Sequence, residues 1–310
     1  MKTNISRYLT YLCCPLCKGQ LTCGVTHLTC KGCLRNYPIV DGIPRFFHTT
    51  SKDLQLSIQK WDTLYRKHLK IKQYEKEFTE YKAMYFGDTF EQLEEVKKIE
   101  GSVYLEIGCG QFSMGQLLAK HCSLVIGIDV SSEALKVAKS MLLKKGIRNY
   151  LLIQGDILNM PLVSNSVDFI YGGGVIEHFK NTQQCVNELH RVLRKGGVSF
   201  NTVPMLNVGS LTYRQVWGNI PNVPVLRQLA EFIHIRILGS KHMIFGYEFS
   251  FLPTTLKKIH IAAGFKKISV DRFRVKLVFE FIPKVMRGAF IALATKSPLF
   301  WPMLKVVAIK

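Results

Sequence analysis

Apolar residues in the middle of the chain gather in short unbroken runs, at 103–105, 124–128, 150–153, 167–171 and 198–200. Runs of this length, apolar at nearly every position, predict strands covered on both faces. Helical periodicity fills the intervals, most plainly over 131–145, where Ser131 or Ser132 can cap the first turn and Gly146 can stop the last. Alternation of strand and helix predicts an α/β fold built on a doubly wound, mostly parallel sheet with helices on both sides.

Polar and glycine marks punctuate these runs. Glu106-Ile107-Gly108-Cys109-Gly110 follows the first, Asp129 closes the second, Asp156 follows the third, Asp168 lies in the fourth, and Gly196-Gly197 precedes the fifth. The marks are expected to line a single edge of the sheet, the edge at which open α/β sheets bind ligands. A turn pressed against a ligand has no room for a β-carbon, which accounts for Gly108 and Gly110. Asp129, about twenty residues on, stands where a carboxylate accepts hydrogen bonds from two ribose hydroxyls. A nucleoside-containing cofactor is the expected ligand. A nicotinamide-dependent dehydrogenase shares this geometry, but it favours a third glycine where this chain has Ser113. It would also leave the run from Asp156 to Pro161 and Ser166-Val167-Asp168 without a task.

Leu105-Glu-Ile-Gly-Cys-Gly, Gly127-Ile-Asp-Val-Ser, Gly155-Asp-Ile-Leu-Asn-Met-Pro-Leu, Ser166-Val-Asp-Phe-Ile, Ile176-Glu-His and Leu193-Arg-Lys-Gly-Gly together resemble the class I S-adenosylmethionine-dependent methyltransferases. The likeness is to the branch of the ubiquinone and menaquinone biosynthesis enzymes, over about residues 95–205, and it implies a seven-stranded Rossmann-like sheet. It places Glu106, Gly108 and Gly110 at the methionine part of the cofactor, Asp129 at the ribose, and Asp156 with the Ile157 backbone at the adenine. Tyr171 and Gly172 would stand near the reacting carbon. One departure concerns the turn: relatives carry a small residue where this chain has Phe112, so either the turn bends differently or the ring packs over the cofactor. Asp168 has a local alternative as a cap for backbone groups, and Cys109 reads as buried filler.

Near the amino terminus, Cys14-Pro-Leu-Cys17 and Cys30-Lys-Gly-Cys33 form two Cys-x-x-Cys knuckles. Four thiolates so spaced can close a tetrahedron around Zn2+, and a closed Cys₄ site is structural. Cys13, Cys23 and His27 lie nearby and are not needed. With Tyr37-Pro-Ile-Val-Asp-Gly-Ile-Pro-Arg-Phe, these words resemble the small zinc-ribbon activator subunit of several tRNA, rRNA and release-factor methyltransferases. The expected organisation is a zinc ribbon over 1–48, a helical bridge and cofactor cover over 49–100, and a methyltransferase domain over 101–310 with an insertion at 205–252. In the bridge, Trp61, Tyr65 and Tyr85 are candidates to close over the cofactor.

Nine cysteines without a disulfide framework, and the lack of a secretory or spanning apolar stretch, lead to the expectation of a cytoplasmic protein. Forty-two Lys and Arg against 22 Asp and Glu leave a formal charge of +20. Residues 251–310 carry twelve basic residues against Asp271 and Glu280, with Phe279-Glu-Phe-Ile-Pro and Phe300-Trp-Pro-Met-Leu among them. Such a surplus suits polyanions or the anionic inner face of a membrane. Within the insertion, 211–217 and an amphipathic run at 225–238 read as a greasy, basic lid. The expected reaction is therefore methyl transfer to oxygen or carbon of a small-molecule or lipid-linked acceptor. The alternatives are an rRNA or tRNA methyltransferase and a non-catalytic cofactor-binding scaffold. His178 is the candidate base, followed by His242, Tyr213 and Glu248. Tyr171-Gly-Gly-Gly174 stands where the resemblance would place an Asn- or Asp-Pro-Pro-aromatic motif in amide-nitrogen methylators, which disfavours that chemistry.

Overall fold

The computed structural model describes residues 4–47, 52–69, 99–207, 219–237, 248–273, 284–297, 299, 301 and 303–310. Two compact units emerge, one formed by Met1–Tyr171, Glu188–Val198 and Lys310, the other by Gly172–Asn187 and Ser199–Ile309.

The first unit begins with a four-stranded antiparallel sheet, β1 (Leu21–Cys23), β2 (His27–Cys30), β3 (Asn36–Val40) and β4 (Ile43–Pro44). Leu28, Tyr37 and Phe46 are buried within it, the two rings 4.9 Å apart. After α1 (Lys52–Leu69) come β5 (Val103–Ile107), α2 (Ser113–Leu118), β6 (Leu124–Asp129), α3 (Ser132–Lys144), β7 (Tyr150–Gln154) and β8 (Val167–Gly173). Strands β8, β5, β6 and β7 pair in parallel, with Glu106 opposite Gly127 and Tyr171. Every residue of β5 and β6 is buried, as strands covered on both faces require. Ser131 caps α3 by accepting the Ala134 N–H, and Gly146 leaves the helix at φ 68°.

Helix α4 (Thr182–Val192) runs directly into β9 (Leu193–Pro204). In the second unit β10 (Asn219–Pro221) pairs with β11 (Glu248–Ser250). Helix α5 (Pro224–Glu231) passes into a π-helix at Phe232–Ile237, so the amphipathic run is helical over its described residues, α for the first part and π for the second. Then follow α6 (Pro253–Ala262), β12 (Lys267–Phe273), α7 (Lys284–Lys296) and β13 (Met303–Ile309), with β12 and β13 antiparallel. The seven strands of the large sheet take the order β12-β13-β9-β8-β5-β6-β7. Residues 211–218, 238, 242, 279–281, 300 and 302 of the lid and basic tail, together with Tyr85, lie outside the described residues.

Strand β7 ends the large sheet, and an uncovered edge would offer unpaired backbone groups to other chains. The amino-terminal sheet covers part of it. Arg45 bridges Gln154 in parallel, the Phe46 N–H donates to the Gln154 carbonyl at 2.8 Å, and Leu12 bridges Leu162.

Phe112 adopts the left-handed conformation (φ 59°) immediately before α2, and its fully buried ring points into the core. A β-carbon at Gly115 would overlap that ring, and one at Gly127 would meet it at 3.0 Å. These two glycines therefore make room for the phenyl group beneath the turn, and the alternative of a ring lying over a ligand is set aside. Gly115→Ala should destabilise the fold by about 1–3 kcal/mol through overpacking, read as a lower urea midpoint.

The expected edge alignment fails for two marks. Asp168 lies at the amino end of β8, where it accepts the Val103 N–H at 2.9 Å and pairs with Arg194 at 2.8 Å. Gly196 and Gly197 lie inside β9 and exchange backbone hydrogen bonds with Lys310. A β-carbon at Gly197 would come within 3.1 Å of the Asp168 carbonyl, so this pair also sits at the opposite edge. The first N–H of β5 needs an acceptor, and Asp168 supplies it.

Candidate functional site

At the carboxyl edge of the parallel strands the chain leaves β5 through Gly108 (φ 52°) and Gly110 (φ 51°), conformations that disfavour any side chain. Asp129, at the end of β6, reaches across to this turn. Its Oδ2 accepts the Gly110 N–H and its Oδ1 the Ser131 N–H, both at 2.8 Å. Burial pushes the Asp129 carboxyl up to about 6, against the pull of the Ser131, Gly110 and Val130 N–H groups, and the Asp62 charge adds to the rise. Glu106 is buried as well, its Oε2 accepting the Gly115 N–H at 2.7 Å and the Tyr104 hydroxyl at 3.4 Å. Both carboxylates therefore brace the turn.

Helix α1 comes to the same edge. Asp62 is buried and accepts the Ser131 hydroxyl at 2.6 Å and the Glu133 N–H at 3.2 Å, holding α1 on the first turn of α3. One turn later the Tyr65 hydroxyl stands over Gly110, where any β-carbon would overlap it. Tyr65 thus reaches the glycine turn. Asp62 was missed by the sequence reading; the signal was its place between Trp61 and Tyr65, on the helical face that turns inward.

Beyond β7 the loop carries Asp156, whose Oδ1 accepts the Leu158 N–H at 2.9 Å and caps a 3-10 turn at Ile157–Asn159. Burial raises the Asp156 carboxyl above its ordinary range. Ile157 is buried. The loop is then gripped by an ion-pair network that sequence reading did not find. Glu188 accepts the Met160 N–H at 2.8 Å and pairs with Arg191 at 2.6 Å, while Arg191 donates to the carbonyls of Met160 and Leu162. Burial works to raise Glu188, but the hydrogen bonds and charge of Arg191 hold it below its ordinary value.

Tyr171, 3% exposed, closes the first unit's share of β8. In the second unit, Gly172 is buried, Gly174 has φ 71°, and a 3-10 turn at Ile176–His178 follows. His178 is half-buried, and its N–H donates to the Val175 carbonyl at 3.1 Å. Glu248 begins β11, whereas Tyr213 and His242 lie outside the described residues.

The Sγ atoms of Cys14, Cys17, Cys30 and Cys33 all lie within 4.8 Å of one another, with Cys14–Cys33 at 3.7 Å and Cys17–Cys30 at 3.4 Å. A metal–sulfur distance of about 2.3 Å in a tetrahedron requires sulfurs about 3.8 Å apart, so the donors fit a zinc ion. A β-carbon at Gly19 would stand 3.2 Å from two of the sulfurs and crowd the knuckle, which glycine leaves open. Although Cys14 is buried, the Cys17 N–H, the Tyr37 hydroxyl and the Leu16 N–H bring its thiol down to about 6, favouring the thiolate a metal needs. The Tyr37 hydroxyl lies 3.0 Å from Cys14 Sγ. His27 instead contacts the Thr26 hydroxyl, Cys23 the Gly24 carbonyl, and Cys13 is buried outside the cluster.

Residues 105–200 match the family described as a methyltransferase domain. The malonyl-[acyl-carrier protein] O-methyltransferase of Hamiltonella defensa is 29% identical over 148 residues, 47% of this chain and 55% of that protein. A demethylmenaquinone methyltransferase of Chlorobaculum parvum is 25% identical over 207 residues, 64% of this chain and 77% of its own length. For the first two curated relatives, the chain spans about half the length of the protein it matches. In fold, the chain is similar to one from the complex between the Haloferax volcanii Trm112 methyltransferase activator and a methyltransferase. The TM-score is 0.52 at 14% identity, covering 84% of this chain and 99% of that one. Residues 105–200 are thus similar to a methyltransferase domain, and their strands belong to a sheet of Rossmann-like order.

Proposed function

We propose that this chain transfers the methyl group of S-adenosylmethionine to oxygen or carbon of a small-molecule or lipid-linked acceptor. The observation that carries the reading is the meeting of the Gly108–Gly110 turn with Asp129 at the carboxyl edge, within the matched domain. Gly108, Gly110 and the braced Glu106 would receive the methionine part, Asp129 the ribose, Asp156 and Ile157 the adenine, and Tyr171 and Gly172 the methionine end. S-adenosylmethionine, when bound, supplies a methyl group on a sulfonium leaving group. The residues around it need to hold an acceptor in line with that methyl, and alignment is worth about 7–11 kcal/mol. For a hydroxyl or acidic-carbon acceptor, His178 would accept the proton, a task suited to an imidazole near neutral pH. Zn2+ on Cys14, Cys17, Cys30 and Cys33 would be structural. The domain reading accompanies this one: a ribbon over 1–48, a cofactor cover over 49–100, and a methyltransferase domain over 101–310 with its insertion at 205–252.

Malonyl-[acyl-carrier protein] and demethylmenaquinone, the acceptors in the relatives' names, support a small or carrier-linked substrate. An anionic bilayer is the proposed meeting place. Val225, Leu226 and Leu229 of α5 are exposed beside Arg227, and Val285, Met286, Phe290 and Leu293 of α7 are exposed on the helix that carries Arg287 and Lys296. Among the described residues no helix is long and apolar enough to cross a membrane, so such binding would be peripheral. Co-sedimentation with phosphatidylglycerol vesicles is expected, with loss of most binding on Val285→Asp/Phe290→Asp and none of it to neutral vesicles.

The charge of +20 favours a second reading, methylation of rRNA or tRNA, which would show as steeply salt-dependent RNA binding. Incubation with methyl-labelled S-adenosylmethionine and separate lipid, quinone and RNA extracts decides. Label in lipid or quinone is expected; label in RNA alone overturns the first reading for the second, and label nowhere leaves a scaffold.

A further inference from the structure

The geometry points to the amino-terminal metal ribbon as the device that shapes the adenine-side loop, so that cofactor affinity depends on metal occupancy, with Lys18 as the positioning residue that joins the two. This rests on the proposed cofactor site, because the loop in question is the one leaving the carboxyl end of β7, where a parallel sheet receives its ligand.

Ribbon backbone holds that loop at both ends. At its start the Gln154 carbonyl accepts the Phe46 N–H at 2.8 Å. At its end the Pro161 carbonyl accepts the Cys13 N–H and the Val163 N–H donates to the Tyr11 carbonyl, each at 3.0 Å. Between these points lie Asp156 and Ile157. Both anchors lead back to the same sulfur. Cys13 adjoins Cys14 in the chain; on the other side the Cys14 Sγ contacts the Tyr37 hydroxyl, whose ring packs on Phe46.

A third connection passes through a side chain. Lys18, held in the left-handed conformation (φ 56°) directly after Cys17, donates its N–H to the Cys14 carbonyl at 2.9 Å, so the knuckle sets its position. Its Nζ reaches the Met160 carbonyl at 3.3 Å and Glu188 Oε2 at 3.4 Å. The same Oε2 accepts the Met160 N–H, so both backbone groups of Met160 are held by one network that the ribbon completes. A knuckle closed on a metal presents Cys13 and Lys18 to the loop in fixed register. A knuckle without the metal keeps the backbone hydrogen bonds of its turns but has no link through the four sulfurs, so the register is held more loosely. The loop's grips at 160 and 161 then weaken, while those from Glu188 and Arg191 stay.

The test compares zinc-loaded, chelator-stripped and zinc-restored full-length chain, with Lys18→Ala as a variant that keeps all four cysteines. Calorimetry with S-adenosylhomocysteine is expected to show Kd rising at least about fivefold on stripping, returning with zinc, and rising by a similar order in zinc-loaded Lys18→Ala. Hydrogen exchange of the stripped chain should quicken at Leu158 to Val163 but not at Gly110 and Ser131, whose N–H groups are bonded to Asp129. Unchanged affinity in both stripped chain and variant overturns the inference, as does exchange that rises equally at both places, since that would be a general loss of stability. Failure of the zinc-loaded wild-type chain to bind S-adenosylhomocysteine at all would instead overturn the cofactor site itself.

Discussion

Asp129→Ala weakens S-adenosylhomocysteine binding by roughly a hundredfold, the expected loss of two hydrogen bonds to a charged acceptor at about 1.5 kcal/mol each. The carboxylate has a second task, since it accepts the N–H groups of Gly110 and Ser131, and alanine leaves both without that acceptor. Asp129→Asn separates the tasks, because one amide oxygen still accepts while the charge is gone. Acidity provides the sharper readout. With the wild-type carboxyl at about 6 in the folded state, ribose hydroxyls that donate to the ionised form bind poorly once it is protonated. Calorimetry should show affinity declining below pH 6, approaching about tenfold per pH unit, and a flat profile for Asp129→Asn. Stability moves in the opposite sense. A folded value above the ordinary 3.8 means this carboxyl favours folding in full below pH 3.8 and loses that contribution as pH rises through about 6. Across that window the change is on the order of 3 kcal/mol. A pH-independent affinity in the wild type would remove Asp129 from the ribose site.

Cys30→Ser is expected to abolish zinc retention and to lower the melting temperature by about 10 °C, on the order of 3 kcal/mol for a chain of this size. The reason is reach. Cys30 is fully buried and its neighbours in the knuckles have little core of their own, so the small sheet is expected to need a bound metal to close. Its loss would also uncover the edge of β7 now occupied by Arg45 and Phe46, leaving unpaired backbone groups open to other chains. Light scattering on heating should therefore rise together with the fall in melting temperature. Cys23→Ser is the control: this thiol lies outside the cluster and donates to the exposed Gly24 carbonyl, so metal content and melting should be unchanged. Retention of zinc by Cys30→Ser would contradict a four-sulfur site.

Much of the candidate site at the carboxyl edge was legible from local chemistry. Strands β5 to β8 announced themselves as apolar runs, Ser131 and Gly146 as helix boundaries, and Gly108 with Gly110 as a turn that tolerates no β-carbon. Each of these depends on residues a few positions apart, so pattern and conformation are tied directly. Asp168 misled although it stands second in its run, because the need it meets there, the Val103 N–H, lies 65 residues away. Phe112 could be read two ways because the space for its ring is made by Gly115 and Gly127, on different elements.

From the sequence alone came the alternating architecture, the four cysteines of the cluster and the acidic residue at the end of β6, since periodicity and spacing are properties of neighbouring positions. Tertiary structure alone decided that Asp62 fastens α1 to α3, that Tyr65 meets Gly110, and that Lys18 joins Glu188 across 170 residues of chain. Such contacts arise from which surfaces and backbone groups remain to be satisfied once the elements have formed, and that remainder exists only after the chain has folded.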